Sequence, residues 1–199
     1  MSEKIGSTLK YAYVISLQLV TGKGEKDMNR LNLKKLAAAG MLTAIAVVLS
    51  SISIPVGASR CYPVQHLINA MAGVFLGPLY EVSMAFCTSL IRNLMGTGSL
   101  LAFPGSMVGA FLCGMLYKKT GRLSLAYLGE ILGTGVLGAL LCYPVAVFFM
   151  GKETAVFAYV IPFLMSTAAG TCIAAVLTGA LNRSGAMDYM KRALEVHAV

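Results

Sequence analysis

From Leu36 to Asn182 the chain is apolar almost without pause: the only charges are Arg60, Glu81, Arg92, Lys118, Lys119, Arg122, Glu130, Lys152 and Glu153. Runs such as LTAIAVVLS show no alternation of apolar and polar positions, so lipid-facing strands of a closed barrel are excluded. The pattern predicts a bundle of membrane-spanning helices. Turn signals cut it at Gly77-Pro78, Gly96-Thr97-Gly98, Pro104-Gly105 and the Gly151–Glu153 turn.

Basic residues sort the segments. Lysine and arginine collect in short cytoplasmic loops, because translocating them is costly. Three clusters then mark the inside: Lys23 to Lys35, Lys118 to Arg122, and Arg183 with Lys191 and Arg192. An even number of spans must separate neighbouring clusters. The stretch Leu36–Tyr117 is too long for two spans of about 20 residues and fits four short ones, and Leu123–Leu181 fits two. The fold class expected is an all-α integral membrane protein with six transmembrane helices near 33–51, 63–77, 79–95, 104–117, 123–150 and 155–181, both termini cytoplasmic. Loops 52–62, 96–103 and 151–154 face outward. Residues 1–27 are read as an N-terminal extension, disordered or upstream of a true start at Met28, because their apolar run YAYVISLQLV is too short to span. Residues 28–182 form the membrane domain and 183–199 a cytoplasmic tail.

Composition agrees: 57% of residues are hydrophobic and 12% charged, with mean hydropathy +0.76, against about 25% charged in a soluble domain. The net charge of +8 lies beside hydrophobic spans rather than along a basic, aromatic-bearing surface, so it reads as a topology signal and no nucleic acid is expected. The five cysteines are scattered, without a CxxC pair or a histidine at ligand spacing, and no metal site is expected. No Walker A sequence, HExxH, nucleophile elbow or aspartate pair is present, so no catalytic residue is assigned and the chain is not expected to be an enzyme.

Polar groups inside the spans need a reason, since facing lipid each loses hydrogen bonds at several kcal/mol. Arg60, Cys61, Tyr62, Gln65, His66 and Asn69 cluster at the outer end of span two, with Tyr62, His66 and Asn69 on one helical face. They form either a polar site or an interfacial anchor, a headgroup contact and a helix-helix hydrogen bond. Arg92-Asn93 precede a glycine-rich outer loop. Arg92 pairs there with headgroup phosphate, with Glu130, or with a ligand oxygen. Glu130 is placed shallowly in span five, reaching the interface or Arg122. Tyr143 and Tyr159, in the outer halves of spans five and six, supply aromatic walls for a flat heterocycle or anchor the interface. Small residues recur at i, i+4, as in Gly40/Ala44, Gly105/Gly109, Gly129/Gly133 and Gly170/Ala174, a spacing suited to close helix packing.

The stretches SISIPVGASRCYPVQHLINAMAGVFLGPLY and SLIRNLMGTGSLLAFPGSMVGAFLCGMLY resemble the ThiW family, substrate-specific S components of energy-coupling factor transporters. The resemblance covers about Met28 to Leu181. It implies a multi-pass subunit of a prokaryotic cytoplasmic membrane that captures a small vitamin precursor, the thiazole moiety of thiamine. It binds no cofactor itself and works with a transmembrane coupling protein and two cytoplasmic ATPases that use ATP. The same resemblance carries a ligand-binding role to Arg60, Tyr62, His66, Asn69, Arg92, Asn93 and Phe103. It carries a partner-docking role to Ala39, Gly40, Thr43 and Ala44 on the first span. Two other classes compete. A stand-alone secondary transporter is disfavoured because no pair of intramembrane carboxylates or two-fold repeat is seen, and a membrane enzyme because His66 lacks a nearby carboxylate partner.

Overall fold

The computed structural model describes residues 33–50, 52–56 and 59–194; the extension 1–27 lies outside the described residues. Helix α1 runs Leu33–Leu49, followed by a short antiparallel hairpin, β1 (Ile54–Val56) and β2 (Ser59–Cys61), with Pro55 opposite Arg60. The hairpin stands within the loop expected over 52–62. Helix α2 (Pro63–Phe75) opens with proline in its first turn, where the missing N–H costs nothing. It hands over to α3 (Pro78–Leu94) through Gly77 at φ 87°. Only glycine adopts that angle without penalty, and Pro78 then restarts the helix. Helix α4 (Ala102–Thr120) ends on Gly121 in the left-handed conformation, with Lys118 and Lys119 complementing its last turn.

A continuous rod follows: α5 (Leu123–Leu132), a π segment Gly133–Gly138, α6 (Ala139–Pro144) and a second π segment Val145–Phe149. The first wide segment falls where three glycines lower the resistance to rewinding. The second follows Pro144, which cannot donate to the preceding turn. Helix α7 (Val160–Arg183) crosses back, and the tail carries a short helix α8 (Ala186–Leu194) whose Met187 packs into the core.

From Lys34 onward the described residues cluster as one compact unit. Helix α4 is its centre, packed against α3, α5 and the first π segment, while α2 packs mainly on α7. Ala70, Cys113, Ala126 and Ala174 meet in the middle, one from each of α2, α4, α5 and α7. Small side chains there let the four backbones approach closely. Helix α1 is the loosest element: Ala39 and Ala46 touch the core, while Met41 and Val48 are about 70% exposed at 68% and 70%.

The distribution of polarity is inverted relative to a soluble protein. The largest fully buried side chains include Arg92, Glu81, Glu130 and Thr134, whereas Leu94, Phe148, Phe149 and Val176 stand exposed. An exterior of this kind suits a lipid surround rather than water. Two helical stretches among the described residues are long and apolar enough to cross a membrane, Leu123–Phe149 and Val160–Arg183. Helix α2, of 13 residues, extends only about 20 Å. The described fold is thus helical apart from the hairpin, with α1 to α4 shorter than those two stretches.

The packing makes a prediction. A thiol reagent added to the folded chain in detergent is expected to modify Cys87 and Cys172, which are exposed, and to reach the buried Cys113 and Cys142 only after denaturation. Peptide mass spectrometry checks this, and rapid native labelling of Cys113 would contradict the central packing.

Candidate functional site

A polar cavity lies under the hairpin, at the end of the bundle where α2 and α4 begin. Its wall includes Arg60, Tyr62, Gln65 and His66 from the hairpin end and α2, and Arg92 from α3. The loop and α4 add Ser99, Leu101, Ala102, Gly105 and Ser106, and the rod and α7 add Thr134, Phe163 and Ser166. The cavity volume is about 40 Å³, room for roughly one water at about 30 Å³ each.

Tyr62 forms the roof. Its ring lies 3.9 Å from the Arg92 guanidinium carbon, its N–H donates to Ser166 Oγ at 2.7 Å, and its hydroxyl reaches the Thr97 carbonyl at 3.5 Å. Arg92 is fully buried at the end of α3 and donates to Gln65 Oε1 and to the Thr97 carbonyl, while its Nε has no partner. The loop after α3 folds over this arginine: the Thr97 and Gly98 N–H groups both donate to the Arg92 carbonyl at 2.9 Å. Asn93 clamps the same loop, donating to the carbonyls of Ser89 at 2.7 Å and Ser99 at 3.0 Å. A side chain at Gly98 would come within 3.0 to 3.1 Å of the Arg92-Asn93 backbone, which is why glycine stands there. Cys61 fastens the hairpin by donating to the Pro162 carbonyl at 3.1 Å.

Glu130 lies beneath the floor. Its Oε1 meets His66 Nδ1 at 2.8 Å and accepts from Asn69 Nδ2 at 3.4 Å and Thr134 Oγ1 at 3.5 Å. Its Oε2 has no partner and points at Gly109, where a Cβ would stand 2.7 Å away. This corrects the shallow placement expected for Glu130: the side chain has no exposure at all, while Arg122 is exposed. His66, read from sequence as lacking a carboxylate partner, has one. Arg92 is bonded to Gln65 and Thr97 rather than to Glu130.

A second buried carboxylate corrects another expectation, that no intramembrane pair exists. Glu81, on the first turn of α3, is fully buried with both oxygens unpartnered, and it presses on Gly73 and Gly114, where a Cβ would lie 2.5 and 2.6 Å from Oε2.

Of the residues singled out in the sequence, Arg60, Tyr62, His66 and Arg92 line the cavity. Asn69 stands behind it on Glu130, and Asn93 shapes the loop. Phe103 packs on Phe86 with ring centroids 5.5 Å apart. Tyr159 is buried among Leu101, Ala139 and Cys142, 6.3 Å from the Phe163 ring, and Tyr143 is half-buried in α6. These three are not in the cavity wall. On α1, Gly40 and Ala44 are exposed, with nothing within 4 Å of a Cβ at Gly40, whereas Ala39 packs inward and Thr43 bonds back to its carbonyl. Sequence reading missed Ser99, Ser106, Thr134 and Phe163 in the wall. Only Thr134 carried a signal, one turn beyond Glu130 on the same face. Among the described residues no group of histidine, cysteine and acidic side chains could hold a metal ion.

A family model described as a thiamine-precursor transporter protein (ThiW) matches residues 36–184. No curated protein and no solved structure matches the chain.

Proposed function

The chain belongs to the ThiW family of thiamine-precursor transporter proteins, and from that premise we propose that it is the capturing S component of an ATP-driven energy-coupling factor importer, with the thiazole precursor of thiamine as cargo. The observation that carries this reading is the small cavity lined by polar groups, with Tyr62 on Arg92 at one side and His66 on Glu130 at the other.

Its chemistry suits a small five-membered heterocycle bearing a hydroxyl. Glu130 holds His66 through Nδ1, which leaves Nε2 for the cavity. Phe163 offers an apolar ring face, and the hydroxyls of Ser99, Ser106, Thr134 and Ser166 both donate and accept. A cavity of about 40 Å³ is smaller than such a ring. Entry therefore requires Tyr62 and the loop Gly96–Leu101 to withdraw, and their return seals the cargo from water.

In this reading the six helical segments α1, α2, α3, α4, the Leu123–Phe149 rod and α7 each traverse the prokaryotic cytoplasmic membrane, the short ones completed by turns and the hairpin, with both termini cytoplasmic. The exposed Gly40/Ala44 strip of α1 receives the coupling protein, and two cytoplasmic ATPases supply the energy. Gly40→Leu is then expected to spare cargo binding by the isolated subunit and to abolish ATP-driven uptake; loss of binding in the isolated subunit would reverse the assignment of that face.

Calorimetry or native mass spectrometry of the purified subunit with hydroxyethylthiazole, thiamine and the pyrimidine precursor tests the cargo. Selective capture of the thiazole supports the reading, and capture of another of the three changes the cargo. No capture by folded protein removes it. The roof has its own test. A desolvated cation–π contact is worth about 2 kcal/mol, so Tyr62→Ala is expected to speed cargo release about 30-fold and Tyr62→Phe to leave it within a few-fold. Stopped-flow release kinetics measure both, and equal rates for the two variants would remove Tyr62 from the roof.

One observation favours a second reading, a stand-alone proton-coupled carrier: Glu81 and Glu130 are both fully buried. Uptake into vesicles containing this chain alone, driven by a proton gradient, would establish it in place of the ATP-driven one.

A further inference from the structure

The cavity under the hairpin carries more positive charge than a neutral cargo needs. Arg60, Arg92 and His66 line it, and among the described residues no acidic side chain does. Glu130 stands behind the wall, where His66, Asn69 and Thr134 engage it. The charge on Arg92 is the harder one to place. That side chain is 1% exposed, and a guanidinium stays protonated even when buried. Among the described residues every group it meets is neutral: the Gln65 side-chain carbonyl, the Thr97 backbone carbonyl at 3.5 Å and the Tyr62 ring 3.9 Å away. Taking a cation out of water onto neutral partners alone is costly.

The unused part of this guanidinium is one edge of its plane. Nε is buried with no partner, and Nη2, beside it on the same edge, has only the long bond to Thr97. Two parallel N–H donors on one edge are the arrangement that takes both oxygens of a carboxylate or a phosphate. Thr97 belongs to the loop Gly96–Leu101, so the withdrawal that admits cargo also frees Nη2. Arg60 adds a second cation to the same wall from the hairpin, exposed and bonded to Ser53 Oγ at 3.4 Å.

Neither membrane topology nor loop structure explains the pair. In the topology proposed above this is the outer end of the bundle, where the bias of basic residues works against arginine. Fastening a loop requires hydrogen-bond donors, and a glutamine supplies those without a buried charge.

Resting on the reading of this cavity as the cargo site, we propose that its preferred cargo is anionic. The cargo is a small heterocycle bearing a carboxylate or a phosphate ester, with its charged oxygens on the Nε–Nη2 edge of Arg92, Arg60 adding charge and its ring towards Phe163.

Calorimetric titration of the purified full chain tests this by comparing hydroxyethylthiazole with its phosphate ester and with the corresponding thiazole acetic acid. The wild type is expected to bind at least one of the two anions about tenfold more tightly than the neutral alcohol, as for one added charge-assisted contact. Preference for the ester alone identifies a phosphate, and preference for the acid alone a carboxylate. Arg92→Gln is expected to bring the anion and the alcohol to near parity, and Arg92→Lys, which keeps the charge but not the paired edge, to retain part of the difference. Capture of the alcohol as tightly as both anions overturns the proposal and leaves the cargo site standing, whereas capture of none of the three overturns both. An anion preference that survives in folded Arg92→Gln overturns the role given to that edge. Should Arg92→Gln fail to fold by circular dichroism, Arg60→Gln at its exposed position is expected to lower the anion preference several-fold, and an unchanged preference there overturns the proposal equally.

Discussion

Glu130→Ala is expected to destabilise the bundle by about 3–5 kcal/mol, the range for removing one partner of a buried pair, and to abolish cargo capture. Glu130 Oε1 is the shared acceptor for His66, Asn69 and Thr134, all buried. Truncation leaves these groups facing one another across a void too enclosed for bulk water to repair. Glu130→Gln separates the two effects. It preserves volume and one acceptor oxygen, so the fold is expected to survive, but the amide no longer presents a carboxylate to His66 and capture is expected to weaken strongly. Thermal melting by circular dichroism and calorimetric titration read stability and capture independently. Wild-type melting and binding in Glu130→Ala would show that the carboxylate neither supports the fold nor positions the histidine.

Gly133→Leu is expected to prevent accumulation of folded protein. A Cβ at Gly133 would stand 2.6 Å from Gly109 Cα and 3.1 Å from Gly109 N and the Val108 carbonyl. All three obstacles are backbone, so no side-chain rotation relieves them, and the rod would have to move off α4 at its tightest crossing. Even Gly133→Ala meets this contact and is expected to cost about 1–3 kcal/mol. Gly40→Leu is the matched control, because nothing lies within 4 Å of that position. Size-exclusion profiles and melting of the three variants in one detergent check the contrast. A monodisperse Gly133→Leu that melts like the wild type would mean that the rod and α4 do not cross here.

The segmentation of the chain was legible because it rests on local signals. The Gly77-Pro78 turn, the basic cluster from Lys118 and the apolar run from Leu123 place helix ends within a few residues of where they fall, since proline geometry and the cost of moving charge into lipid act on single residues. The hairpin within residues 54–61 and the π segments of the rod were not legible. A three-residue strand carries too little pattern, and a wide turn depends on what the helix packs against. The polar cluster at Arg60, Tyr62 and His66 was visible as a cluster, because uncompensated polar groups in an apolar chain need a shared explanation.

Taken alone, the amino-acid order determines that the chain is built of apolar helices suited to lipid, where its sharpest turns fall, and which side chains are too polar to face lipid, all consequences of transfer free energy and backbone sterics acting residue by residue. Which polar groups meet was decided only by the tertiary structure. His66 and Glu130 stand 64 positions apart, and Tyr62 and Ser166 stand 104 apart. Whether such groups touch depends on the rotation and crossing of whole helices, which the glycine contacts of the packed bundle select.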